Sequence, residues 1–68
     1  MKTATALPNN LRKAREARKM TQSELGRKIG FGQARISYYE VSRGTPSIPT
    51  LIKLSEALDI SIDDLLTK

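Results

Sequence analysis

Two glutamines eleven residues apart, Gln22 and Gln33, are the side chains of this sequence best suited to reading another molecule. A carboxamide donates and accepts in one plane, which matches the N7 and N6 edge of adenine in the major groove of duplex DNA. By helical spacing Gln33, Ala34, Ser37 and Tyr38 share one face, while Ile36, Tyr39 and Glu40 share the opposite one. The second face is built to pack. The first offers an amide, a methyl that suits the C5 methyl of thymine, a hydroxyl and a phenol, and is expected to read base edges. Arg35 lies partly toward that face. Arg43 and Thr45, in the loop that follows, are suited to phosphate contacts that fix orientation without carrying sequence.

Other chemistries are excluded by what is missing. The 68 residues contain neither histidine nor cysteine, which removes disulfides, imidazole or thiol catalysis and the common zinc and iron sites. The acids are scattered, and Asp63-Asp64 suits a helix start better than general acid–base work. The stretch 26–32, GRKIGFG, lacks the order of a phosphate-binding loop. The chain is expected to be no enzyme, and its binding to need no cofactor.

The elements that must position these side chains are legible from their punctuation. Thr21 and Glu24 form a capping box, Leu25 and Ile29 fall on one face, Gly30 is a C-cap of positive φ, and Phe31 is an apolar plug. Gly26 is expected where a second helix crosses closely. These signals place two short helices and a turn over residues 22–41. Residues 1–8 have no apolar period and are read as a flexible arm, and 9–68 as one domain. A first helix starts at Pro8 to Asn10, carries Leu11 and Ala14, and ends near Lys19. Its apolar face is too narrow for a membrane-surface helix. Ser47 caps a fourth helix, with Leu51, Leu54 and Leu58 joined by Ile48, Ile52 and Ala57 in a broad apolar stripe. Ser61 and Asp64 open a fifth, in which Ile62, Leu65 and Leu66 either all complete the core or leave an edge for a second copy.

Charge is divided unevenly. Residues 1–46 hold ten Lys or Arg against three acids, and residues 47–68 hold two against four, within a net charge of +5. The basic part contains the turn motif, and such a field draws in phosphate. No apolar run approaches a membrane span, MKTATA is too short for a signal peptide, and a reducing cytoplasm suits the composition.

Leu25, Gly26, Ile29, Gly30, Phe31, Ile36 and Tyr39 together resemble the helix-turn-helix of the phage-repressor and Xre family. Residues 11–22 resemble its first helix and 46–66 its fourth and fifth, so the resemblance covers nearly the whole chain. It implies an all-α, compact five-helix, lambda-repressor-like domain. Such a domain binds a palindromic double-stranded DNA operator as a homodimer and regulates transcription, here as a repressor. The resemblance further implies that Gln22 braces Gln33 and touches phosphate. It implies that Arg15 and Glu40 form a structural ion pair, and that Ile62 and Leu66 of the last helix contribute to a dimer interface. Two departures stand out: Ser42 occupies a usual glycine position with Gly44 two residues on, implying a different loop path, and Gly26 replaces the usual alanine. The alternative use of the same fold is a protein-interaction module, of antitoxin type or directed at the transcription machinery. The basic bias around Gln22, Gln33 and Arg43 favours DNA.

Overall fold

Side-chain oxygens set three helix starts of this chain and left-handed residues set four of its helix ends. They punctuate five helices in the computed structural model, which describes residues 6–67: α1 (Leu7–Ala17), α2 (Gln22–Ile29), α3 (Gln33–Glu40), α4 (Ile48–Leu58) and α5 (Ile62–Leu66). At the start of α2 the Thr21 hydroxyl accepts the Glu24 amide at 3.0 Å, and the Glu24 carboxylate accepts the Thr21 amide at 2.8 Å. Two orphan donors are thereby satisfied reciprocally. Ser47 and Ser61 accept the amides of Thr50 and Asp64 at the starts of α4 and α5. α1 has no side-chain cap but carries Pro8 in its first turn, where a missing N–H costs nothing.

The first four helices all end in the same hydrogen-bond pattern. Lys19, Gly30, Ser42 and Asp59 have φ of +57°, +85°, +64° and +53°. Each donates its amide to the carbonyl three residues back, and the following amide donates to the carbonyl five back. This is the Schellman motif, which satisfies carbonyls that the helix leaves open. Only one of the four left-handed residues is glycine. Ser42 therefore takes the left-handed conformation itself.

Between these ends lies a core of Leu7, Leu11, Ala14, Leu25, Ile29, Ile36, Tyr39, Leu51, Leu54, Leu58 and Leu65. α2 packs most extensively on α3, α1 bridges α3 and α5, and α4 lies against α2 and α5. The Asn10 amide donates to the carbonyls of Asp64, Leu65 and Thr67 at 2.6–3.1 Å, closing the end of α5 from the opposite end of the domain. No helix among the described residues is long and apolar enough to cross a membrane.

Three sequence expectations change. The helical domain begins at Leu7, which is buried, so Leu7 and Pro8 belong to it and not to an arm; residues 1–5 lie outside the described residues. Ile48 and Ile52 leave the core, at 67% and 44% exposure, because Ile52 is about 200° round α4 from Leu54 and Ile48 stands at the helix's first position. The backbone that needs Gly26 small is the turn itself, since a Cβ there would lie 2.8 Å from Phe31 O and from Gly32 C and O.

A serine in the left-handed region costs roughly 1–2 kcal/mol that glycine avoids, less the extra entropy glycine loses on folding. Ser42→Gly is expected to raise stability by about 1 kcal/mol, seen as a thermal midpoint about 4–8 °C higher. An unchanged or lower midpoint means that the serine holds its conformation without strain.

Candidate nucleic-acid interface

The α2 and α3 starts meet at the surface, and what aligns them is a buried charge. Arg15 of α1 and Glu40 at the end of α3 have side chains 10% and 3% exposed and form a two-point pair. In it Nε donates to Oε2 at 2.7 Å and Nη2 to Oε1 at 3.2 Å. The remaining Arg15 amino group, Nη1, donates to the Met20 carbonyl at 2.7 Å. The hydrogen bond from Glu40 raises the Arg15 guanidinium above its ordinary value, against the opposing effect of burial. A folded-state value raised in this way contributes stability below the guanidinium's own range for as long as Glu40 carries its charge.

From that pair a chain of bonds runs outward. Gln22 Nε2 donates to Glu40 Oε1 at 3.0 Å, and Gln33 Nε2 donates to Gln22 Oε1 at 3.0 Å. A carboxylate offers acceptors only, so the Gln22 amide must turn its NH2 inward and its oxygen outward. Gln33 must then turn its NH2 to Gln22, which leaves its own oxygen and a second N–H for an outside partner. The polarity of the exposed carboxamide is thus dictated from the interior.

α3 carries the remaining candidates. Ile36 and Tyr39 are buried, whereas Gln33, Ala34, Arg35 and Tyr38 are exposed and Ser37 is half-buried. Gly32 caps this helix with no side-chain bond, and no acid stands in its first turn, so its amide end stays open and positive. Arg35 folds back, its Cζ 4.5 Å from the Phe31 ring centroid and its Nη1 3.5 Å from the Tyr39 hydroxyl. Ala34, Arg35, Tyr38, Tyr39, Gly44 and Thr45 line an open trough between α3 and the following loop. Arg43 stands exposed in that loop, anchored through its backbone amide to the Tyr38 carbonyl at 3.0 Å.

The structure brings Arg15, Glu40, Gln22 and Gln33 into one network and sets Ala34, Arg35, Tyr38 and Thr45 round one trough. Ile62 and Leu66 are elsewhere, half-buried against the core. Among the described residues, the large apolar side chains most open to solvent are Val41 and Ile48, at 58% and 67%. Sequence reasoning missed the Met20 carbonyl that completes the Arg15 site, for which no side-chain signal exists. It also missed the contact of Tyr38 with Gly44, for which the only hint was an aromatic residue six positions before a loop glycine.

The sequence model of a family described as "Helix-turn-helix" matches residues 11–65. Among curated proteins, the uncharacterized HTH-type transcriptional regulator YqaE of Bacillus subtilis is 39% identical over 57 residues, covering 84% of this chain and 49% of that protein. Antitoxin HipB of Escherichia coli strain CFT073 is 38% identical over 58 residues, covering 85% of this chain and 62% of HipB. The chain thus spans about half to three fifths of these relatives' lengths. Among solved structures, the P22 c2 repressor in complex with the synthetic operator 9T superposes with a TM-score of 0.85 at 35% identity, covering 88% of this chain and 91% of that one.

Removing one partner of a buried ion pair leaves an uncompensated charge, at a cost of about 3–5 kcal/mol. Glu40→Ala is expected to destabilise the domain by about that amount in chemical denaturation. Arg15→Met combined with Glu40→Leu should recover most of the loss, since apolar replacement of both partners is often neutral or better. A Glu40→Ala midpoint equal to the parent's shows the pair to be solvated in solution.

Proposed function

This chain belongs to the helix-turn-helix family of phage-repressor type, and on that footing we propose that it binds double-stranded DNA and regulates transcription as a repressor. α3 enters the major groove by its open amide end. Gln33 reads a base edge with the oxygen and N–H that the Gln22 bond leaves free, and adenine N7 and N6 fit that pair of groups. Ala34 meets a thymine methyl and Ser37 a base edge, with Tyr38 at the far end of the same strip. Gln22 at the groove margin, Arg35, Arg43 and Thr45 contact or face phosphates and fix the docking angle. Two copies, joined along the Ile62 and Leu66 edge, place two such helices about 34 Å apart on a palindromic operator.

The observation that carries this reading is the bond chain from Arg15 through Glu40 and Gln22 to Gln33. It spends a buried charge pair on orienting an exposed carboxamide that serves nothing in the core. The basic residues 1–46 supply the complementary field. The likeness to an antitoxin favours a second reading, in which the same fold grips a protein.

Selection of bound sequences from a random duplex pool tests both. A two-fold symmetric consensus is expected, with Gln33→Ala relaxing preference at one position per half-site by about 1–3 kcal/mol. Binding to unrelated duplexes should weaken steeply with salt. Affinity with no salt slope, or selection with no consensus, sinks the DNA reading in favour of the protein one.

A further inference from the structure

Gly44 has a backbone that any residue could adopt, since its φ is not positive, yet a side chain there would collide with the Tyr38 ring where it now sits. A Cβ at this position would lie 2.3 Å from Tyr38 Cε2, 2.9 Å from Cδ2 and 3.2 Å from Cζ. One side of the phenol ring therefore lies directly against the loop at Gly44. The Tyr38 carbonyl holds the same loop from the other side, accepting the Arg43 amide at 3.0 Å. Tyr38 thus grips the segment 43–45 through both backbone and ring. Its ring also lies edge-on to that of the buried Tyr39, with centroids 6.3 Å apart.

Resting on the DNA reading above, we propose that Tyr38 is a positioning residue: its ring, seated on Gly44, fixes the loop that presents Arg43 and Thr45, so that it acts on phosphate contact and not on base choice. A residue reading bases from this point on α3 would need its ring free to follow the base edge. Here 47% of Tyr38 is exposed, but the ring edge that carries Cε2 is committed to the loop. The trough lined by Ala34, Arg35, Tyr38, Tyr39, Gly44 and Thr45 is then a fixed cleft between base-facing and phosphate-facing groups.

Gly44→Ala displaces the ring without backbone penalty, because the atoms it meets are the far end of a rotatable side chain. In the free protein, amide hydrogen exchange at Arg43, whose amide donates to the Tyr38 carbonyl, is expected to speed up severalfold in Tyr38→Ala, and not in Tyr38→Phe, which keeps the ring. At the Arg43 amide, Gly44→Ala should match Tyr38→Ala, and adding it to Tyr38→Ala should produce no further change. With DNA, Tyr38→Ala and Gly44→Ala should weaken binding to selected and unrelated duplexes by the same factor. They should also lower the salt slope by about 1, with base preferences unchanged. Loss of preference at one base position with an unaltered slope overturns the proposal, and so does unchanged exchange in Tyr38→Ala. If the parent chain binds no duplex, the DNA reading falls, while the exchange data still decide whether the ring holds the loop.

Discussion

Glu40 cannot be left unpaired once it is buried. A carboxylate with 3% of its side chain exposed must be compensated at both oxygens, and the chain supplies Arg15 from the first helix and Gln22 from the second. That demand fixes more than a charge. It locks the end of α3 to α1, and through the acceptor-only chemistry of the carboxylate it decides which way two successive carboxamides turn. In an apolar interior of the same size, α2 and α3 could slide by small amounts without penalty. Directional bonds do not allow it. The absence of buried unsatisfied side-chain polar atoms among the described residues shows the network to be complete, the condition under which a buried polar cluster specifies one arrangement.

The legible part of the fold was the part written in local chemistry. The capping box at Thr21 and Glu24, the Gly30 turn, the Ser47 and Ser61 starts and the leucine spacing of α4 each act within four residues, and α2 to α5 follow from them, as α1 does from Pro8 and its apolar spacing. The end of α1 near Lys19 was placed from the sequence, but the left-handed conformation of Lys19, Ser42 and Asp59 was not readable, since none of these residue types advertises it. Ile48 and Ile52 misled for a related reason: hydrophobicity gives the width of a stripe but not where its edge falls, and a core this small covers only part of α4. Of the candidate site, the glutamines and the reading face of α3 came from residue chemistry, and the partner of Glu40 only from resemblance. The seat of Tyr38 on Gly44 depends on a loop path that no periodicity encodes.

Two kinds of support thus meet at α3. Its start is held by side-chain bonds traced back to a buried ion pair, and its far end by a Schellman turn with an aromatic ring laid over the loop beyond. The flank between them is covered by Arg35, which stacks on Phe31, with Lys53 Nζ 5.8 Å from the same ring centroid. An eight-residue helix is too short to persist on its own in water. Anchoring at both ends and along one side is what allows so short an element to present side chains in register.

The bonds from Asn10 to the carbonyls of α5 join residues 54 to 57 positions apart, and Leu65, inaccessible to solvent, sits beneath them. Joining such distant residues means closing a long loop, so this contact forms late. During synthesis α1 leaves the ribosome with its leucines uncovered; α3 can cover part of that face, and the rest waits for α5. The side of α1 that packs on α5 therefore stays open to aggregation until α5, the shortest helix, emerges and covers it.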